Sequence, residues 1–282
     1  NQRSSRVRPS LDNKVIVSLN SLAIKAFVSL YKATGNEKFL ETAIKNEKYI
    51  QDNLLKNDHD LFRINDGKKS IHALLEDFSF YIHALIELFQ VSRNHNYIAR
   101  AENLTEQVFN KFSLEESPLF SFTEKNNAPI ITINTDASDN VMPSSNSVMA
   151  KNLFFLGIFL DKRDYIIRAQ KMADSIFNDA LRNPAFFANW GSLFLYLHSF
   201  PFEIDITGKG SNKVQRAMQK RYLPNAMYTW HGRMLNESHE KEQETNITLC
   251  RDRICGMPHK EWKTAVTEIM NYRTLLETNE RT

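Results

Sequence analysis

The sequence is poor in cysteine. Only two cysteines, Cys250 and Cys255, occur in 282 residues, which is too few for a fold of this size to depend on disulfides. The four residues between them also distinguish the pair from the C-x-x-C motif of redox and zinc sites. We therefore expect a cytoplasmic protein that is held together by its hydrophobic core.

The sequence also lacks a charge excess and a long apolar run. Its 36 basic and 33 acidic residues leave a formal net charge of +3, so we expect neither nucleic acid nor an anionic membrane as a partner. No apolar stretch approaches the roughly 20 residues that span a bilayer. The first nine residues are polar and basic, and they do not resemble an export signal.

Motifs for cofactors and metals are missing as well. The segment Thr207-Gly208-Lys209-Gly210 lacks the full glycine spacing of a nucleotide-binding loop, so we interpret it as a turn. Three histidines near the cysteines, His231, His239 and His259, have no compact ligand spacing. We expect neither a metal nor a cofactor.

A repeat organises the first 200 residues. Segments 36–43, 94–101 and 162–169 align without gaps as a polar turn, an aromatic residue, an aliphatic residue and alanine. The aromatic residues Phe39, Tyr97 and Tyr165 lie 58 and 68 residues apart, a distance that suits two helices and a long loop. The repeat unit is therefore predicted to be a helical hairpin.

The two helices of each hairpin differ in hydrophobic pattern. The second is apolar on one side only, as in Tyr97, Ala101 and Leu104, whereas the first is apolar nearly all round. This pattern predicts a mainly α protein, an (α/α) toroid of inner and outer helices that comprises about four of six hairpins. Residues 1–200 would form this toroid segment, and residues 201–282 a small α/β appendage packed on it.

Short turns within hairpins and long loops between them place the starts of the inner helices on one face, the mouth. The register puts Asn20, Phe78 and Asn146 at equivalent positions there. Hydroxyl, amide and carboxylate groups at converging helix starts suit a polyol or an anion. Serine, asparagine and aspartate are equally expected there as helix caps.

Carboxylates at this mouth are candidates for acid/base chemistry. Glu76 and Asp77 open an otherwise apolar helix, and Asp139 precedes the next inner helix. A pair of such groups can act as general acid and base on a sugar. We predict Glu76, Asp77 and Asp139 as catalytic candidates, although complementing the helix dipole explains Glu76 and Asp77 equally well, and Asp139 also fits the ordinary chemistry of a loop. Asn20, Ser144 and Asn146 are the predicted substrate-binding residues.

Several segments resemble a known family. Leu75-Glu76-Asp77-Phe78-Ser79-Phe80, Asp139 to Ser147 and Cys250-Arg251-Asp252 look like the C-terminal half of thioredoxin-domain-containing proteins that include the spermatogenesis-associated thioredoxin-like proteins. The resemblance implies a six-hairpin toroid similar to N-acylglucosamine 2-epimerases and glycoside-processing enzymes. It also implies a thioredoxin-like domain that is absent from this chain.

These observations lead to three functional hypotheses. In the first, the chain binds or processes a carbohydrate or polyol in the manner of an epimerase or glycosidase. In the second, it is a non-catalytic interaction or scaffold domain for a thioredoxin-like domain or another protein. In the third, Cys250 and Cys255 perform redox chemistry, which requires a disulfide and a Cα separation below about 7 Å.

Overall fold

A computed structural model describes residues 2, 6–8, 12–57, 59–65, 70–124, 134–230 and 244–279, without the side chains of residues 65 and 273–279. The helices are α1 (Val17–Thr34), α2 (Glu37–Leu54), α3 (Leu75–Ser92), α4 (Asn96–Phe112), α5 (Ser145–Phe159), α6 (Arg163–Arg182), α7 (Ala188–His198), α8 (Ser211–Gln219) and α9 (Trp262–Asn279). The strands are β1 (Leu55–Lys56), β2 (Asp60–Asn65), β3 (Ser70–His72), β4 (Phe202–Thr207), β5 (Ala226–Tyr228), β6 (Asn246–Arg251) and β7 (Ile254–Cys255).

The first seven helices form the predicted toroid segment. Helices α1 and α2, α3 and α4, and α5 and α6 pack as hairpins, and the inner helices α1, α3, α5 and α7 pack in succession. In the described part of the chain, α7 is followed by β4 and has no outer helix of its own. The prediction of a mainly α toroid is confirmed, with three complete hairpins and one further inner helix.

Burial follows the predicted division into inner and outer helices. In α3, Leu85, Ile86 and Leu88 are fully buried, and almost every other side chain of this helix is buried too. In α4 the buried residues include Tyr97, Ala101 and Leu104, which share one side. The inner helices therefore form the core of the arc, and the outer helices cover it with one face each.

The loops between hairpins lie on the mouth, as predicted. Strand β2 pairs antiparallel with both β1 and β3 in the α2–α3 connection. The Asp66-Gly67 pair, typical of a hairpin turn, lies outside the described residues.

The appendage packs against the ends of the inner helices that lie opposite the mouth. Its sheet has the strand order β5-β4-β6-β7, with β4 and β5 parallel and joined through α8. The Gln215 side chain donates a hydrogen bond to the carbonyl of Gln90, 3.1 Å away. The Arg93 guanidinium lies 3.9 Å from the centre of the Trp230 ring. These contacts join the appendage to the end of α3, while the domain boundary at residue 200 stays a prediction.

Gly157 allows α5 and α6 to approach each other closely. A Cβ atom at this position would lie 2.5 Å from Ile166 Cγ1 and 3.0 Å from the carbonyl oxygen of Lys162. The site is buried, and one of these neighbours is backbone. The absence of a side chain at residue 157 is therefore a packing requirement of this hairpin.

We expect Gly157→Ala to lower the free energy of unfolding by about 1–3 kcal/mol, because the added methyl group overpacks the contact between α5 and α6. Gly191→Ala in α7 is the matched control, since a Cβ atom there meets nothing within 4 Å. It should stabilise the helix by up to about 1 kcal/mol. Urea unfolding of both variants measures the difference, and equal effects would contradict this account of the packing.

Candidate functional site

Asp77 connects the starts of two inner helices. It is fully buried, and its Oδ1 accepts a hydrogen bond from the backbone N–H of Ser18 in α1, at 3.0 Å. Its Oδ2 accepts from the N–H of Leu74 and from the Arg63 guanidinium, each at 3.0 Å. Arg63 also pairs with Glu76. Both carboxylates thus have structural partners, and their predicted acid/base role stays a prediction.

Asp139 makes the same kind of connection between α5 and α7. Its Oδ1 accepts from the N–H of Ser144 at 2.9 Å, and its Oδ2 accepts from the N–H of Asn189 at 2.8 Å. Each oxygen therefore satisfies a backbone donor at a helix start, where no intrahelical partner exists. The structure brings Asp139 to the mouth, as predicted, and gives it a capping role.

The three predicted substrate-binding residues also make local hydrogen bonds. Asn20 donates to the carbonyl of Ile16 at 2.9 Å, and the Ser144 hydroxyl accepts from the N–H of Ser147 at 3.2 Å. Asn146 is fully buried and bonds both the N–H and the carbonyl of Phe120, at 2.8 and 2.9 Å. Only the Ser144 contact is a helix cap, and a role in substrate binding stays a prediction for all three residues.

A second set of residues lines the concave face, about one helical turn along the inner helices from their starts at the mouth. Leu22, Phe80 and Val148 occupy equivalent positions of the repeat in α1, α3 and α5, and they line a small cavity. The same cavity is lined by Ser21, Lys25, His83, Pro143, Lys151 and Asn189. We call this set the concave-face cluster. Three inner helices and the start of α7 therefore contribute to one site.

The prediction from sequence missed this cluster, although the repeat register contains it. Five residues after Asn20, Phe78 and Asn146, the register places Lys25, His83 and Lys151 at equivalent positions. Ionisable side chains in inner helices that are otherwise apolar are costly to bury. Their coincidence at one register position is the signal that identifies the site.

His83 has a defined proton position. The Asn152 amide nitrogen donates to the carbonyl of Ser79 at 2.7 Å, so its Oδ1 faces His83 as an acceptor. His83 Nδ1 lies 3.0 Å from that oxygen and must carry the proton. Burial, together with the charges of Lys25 and Lys151, lowers the pKa of His83 to about 3. The ring is therefore neutral near pH 7, with Nε2 as a hydrogen-bond acceptor.

Lys151 is a destabilised cation on the same face. Its ammonium donates to Asn189 Oδ1 at 3.0 Å. Burial and the nearby charge of Lys25 lower the pKa of Lys151 to about 8. Lys151 therefore lies in a partly desolvated site where the charge of Lys25 also acts on it and where an anion would be favoured.

Glu87 supplies negative charge deeper in the arc, but Lys32 already neutralises it. The Lys32 ammonium lies 2.6 Å from Glu87 Oε2. Burial raises the pKa of Glu87, but the charge of the adjacent Lys32 ammonium is the main effect that opposes it, and the pKa falls to about 2. The carboxylate is therefore ionised and paired, which leaves Lys25 and Lys151 as the cations nearest the cavity.

The cavity is small and retains one unsatisfied group. Its volume is about 20 Å³, room for a water molecule or one ligand substituent rather than a sugar ring. Within the described residues, the buried hydroxyl of Ser21 has no hydrogen-bond partner. A buried hydroxyl without a partner is energetically costly, so Ser21 is available to a group that enters the cavity.

The remaining predictions concern metal binding, membrane-spanning helices and the two cysteines. Across the part of the chain that the structure describes, no cluster of three or more His, Cys, Asp or Glu side chains could hold a metal ion. None of the described helices is long and apolar enough to cross a membrane. Cys250 and Cys255 form a disulfide with a Cα separation of 3.9 Å, so the redox hypothesis has the bond that it requires.

Comparison with known proteins places this chain beside longer relatives. It is 27% identical to an uncharacterized protein of Caenorhabditis elegans over 180 residues, 61% of this chain and 24% of the relative. Spermatogenesis-associated protein 20 of Mus musculus is 23% identical over 184 residues, 58% of this chain and 22% of its own length. The chain is a homologue of spermatogenesis-associated protein 20. The predicted resemblance is confirmed.

The matched region spans less than a quarter of these relatives. No family model matches the sequence. Among solved structures, D-mannose isomerase is similar over 58% of this chain and 41% of its own, with 16% identity and a TM-score of 0.47. A sugar epimerase from a ruminal bacterium is similar over 62% of this chain and 47% of its own, with 15% identity and a TM-score of 0.48.

We expect Asp77→Ala to destabilise the fold by about 2–5 kcal/mol, because it leaves two backbone donors without their acceptor, whereas Arg63 keeps Glu76 as a partner. Glu41→Ala, at an exposed position of α2, is the control and should change stability by less than about 0.5 kcal/mol. Urea unfolding followed by circular dichroism measures both. An Asp77→Ala variant with unchanged stability would contradict the capping role and favour an acid/base role.

We expect His83 to make the fold sensitive to acid. Its pKa is about 3 in the folded chain and near 6.5 in the unfolded chain, so the unfolded chain binds more protons between these values. Full stability is present above pH 6.5 and is lost as the pH falls towards 3, at up to about 1.4 kcal/mol per pH unit.

Urea unfolding at several pH values between 7 and 4 measures this dependence. His83→Gln should reduce the loss of stability in acid, whereas His198→Gln, at an exposed histidine of α7, should not. Parallel pH profiles for the wild-type chain and His83→Gln would show that His83 is not the group responsible.

Proposed function

We propose that this chain binds a small carbohydrate or polyol that carries a carboxylate or phosphate group, and that the anionic group enters the concave-face cluster. The observation that supports this function best is the convergence of Lys25 and Lys151 on a cavity lined by the unpartnered hydroxyl of Ser21. These groups come from two inner helices at corresponding heights in the arc. Together they provide positive charge and hydrogen-bond donors for an anion.

The depressed pKa of Lys151 supports an anionic ligand. Its charged form is disfavoured by burial and by Lys25, and a bound carboxylate or phosphate would offset both effects. A neutral sugar would offset neither effect. Binding should therefore be coupled to the protonation of Lys151 and should weaken as the pH rises above about 8.

The polar neighbours support a hydroxylated ligand. His83 offers an acceptor at Nε2, and Asn189 lies beside Lys151 at the start of α7. The cavity of about 20 Å³ has room for about one oxygen atom of the anionic group, so the rest of that group and the ring of the ligand would remain at the mouth. In this proposal Asp77 and Asp139 hold the helix starts that carry the binding groups.

We expect glucuronate and glucose 6-phosphate to raise the melting temperature of the chain, whereas glucose should have little effect. Lys151→Gln and Lys25→Gln should each weaken binding roughly tenfold or more, because a hydrogen bond to a charged group contributes about 1.5–3 kcal/mol. Lys45→Gln, at an exposed position of α2, is the control. Titration calorimetry at pH 7 and pH 9 measures the affinities.

Equal binding of neutral and anionic sugars, or lysine variants that bind as the wild type does, would overturn the proposal.

The second hypothesis, an interaction domain, is supported by exposed apolar side chains on the last two helices of the arc. Leu181 in α6 is 65% exposed, and Leu195 in α7 is 70% exposed. Recovery of a stoichiometric protein partner, with no response to any small ligand, would favour that function.

A further inference from the structure

The disulfide between Cys250 and Cys255 lines a cleft far from the mouth. The cleft has a volume of about 970 Å³ and lies between the α5–α6 turn and the hairpin of β6 and β7. Gly157 and Asp161 line it on the toroid side, and Arg253 lines it on the appendage side. A reagent of moderate size therefore has room to approach the sulfur atoms.

The two cysteines differ in accessibility. Cys250 is 8% exposed and lies on β6, which pairs with β4 on one side and β7 on the other. Cys255 is exposed and ends the two-residue strand β7. Thiol–disulfide exchange requires access of a thiolate to one sulfur. The geometry makes Cys255 the sulfur that is attacked and Cys250 the one that leaves.

The turn between β6 and β7 has an unfavourable backbone conformation. Asp252 and Arg253 have φ angles of 46° and 66°, the left-handed region that favours glycine. Two-residue hairpins with positive φ at both positions prefer Asn-Gly for this reason. Aspartate tolerates this conformation, whereas an arginine in it costs on the order of 1 kcal/mol. The disulfide therefore holds closed a hairpin in which Arg253 opposes closure.

Strand β6 has anchoring contacts that do not involve β7. Arg251 on β6 donates to the carbonyl of Phe200 at 2.8 Å, and its guanidinium lies 3.9 Å from the Tyr272 ring. By contrast, Arg253 pairs only at the surface, with Asp161, and both side chains are more than half exposed. Such a pair contributes little. Opening would thus release β7 and leave β6 in place.

We propose that Cys250 and Cys255 form a reversible thiol–disulfide exchange site that accepts electrons from a dithiol and opens the hairpin beside the cleft. A thiolate of the dithiol attacks Cys255 Sγ, the bond between the two cysteines breaks, and Cys250 leaves as a thiolate that takes up a proton. The second thiol of the reagent then attacks the mixed disulfide and releases Cys255 as a thiol. The dithiol loses two electrons and two protons, and the protein gains them.

The first test uses dithiothreitol as the dithiol and the full 282-residue chain. Mass spectrometry after alkylation should show reversible reduction of both cysteines while the circular dichroism spectrum stays native. Hydrogen exchange should increase at residues 254–256 and at the β6 amides that face β7, and stay unchanged in β4. Reduction that occurs only in denaturant, or exchange that increases throughout the sheet, would overturn the proposal.

Single variants test the order of attack. In Cys250→Ser the remaining Cys255 thiol should react with an aromatic disulfide reagent at least about tenfold faster than the Cys250 thiol does in Cys255→Ser, because only Cys255 is exposed. Circular dichroism of both variants controls for folding. Equal rates, or a faster Cys250, would contradict the assignment of Cys255 as the attacked sulfur.

A turn variant tests the role of the backbone. Arg253→Gly removes the penalty for positive φ at the second turn position, so the two thiols should stay closer and the ratio of reduced to oxidised dithiothreitol at half reduction should rise about three- to tenfold. Arg253→Lys is the matched control, since lysine keeps the positive charge and the penalty for positive φ. An unchanged or lower ratio for Arg253→Gly would show that the turn does not oppose closure.

Discussion

The arc depends on hydrogen bonds that join the starts of neighbouring inner helices. Asp77 accepts from the first turn of α1 while it caps α3, and Asp139 accepts from the starts of α5 and α7. A helix start carries backbone donors without intrahelical partners, and burial makes each unmet donor costly. One carboxylate shared between two helices satisfies donors on both and holds the helices side by side. The residues at the mouth therefore hold neighbouring inner helices together, in addition to forming a candidate site.

These hydrogen bonds between helix starts limit which polar groups are left to bind a ligand. Because the carboxylates at the rim are occupied by backbone donors, the groups that remain for a ligand lie one turn deeper, in the concave-face cluster. Asn152 of α5 orients His83 of α3 through a hydrogen bond 3.0 Å long, so the cluster is ordered by contacts between the inner helices. Lys25 and Lys151 then supply positive charge at the cavity, where Glu87 and Asp139 offset only part of the effect that burial and Lys25 have on Lys151. The position of the proposed binding site follows from the hydrogen bonds between the helix starts.

The appendage packs at the ends of the inner helices that lie opposite the mouth. Through Arg93 and Gln215 it contacts the end of α3, and its β6–β7 hairpin borders the cleft beside the α5–α6 turn. The mouth and the cleft therefore lie at opposite ends of the same inner helices. A ligand at one end and a dithiol at the other would contact different residues, which makes the two proposed activities separable by mutation.

The sequence by itself determined the helical hairpins, the division into inner and outer helices, and the register, because these depend on local periodicity and on the spacing of aromatic residues such as Phe39 and Tyr97. It also placed Asp77 and Asp139 at the mouth. Only the tertiary structure decided what these carboxylates bond, since the partner of Asp77 in α1 lies 59 residues away. The same holds for His83 and Asn152, which are 69 residues apart, and for the disulfide, which needs β6 and β7 to pair. Periodicity reports which face of a helix is buried, whereas hydrogen-bond partners and pKa values depend on neighbours that only packing brings together.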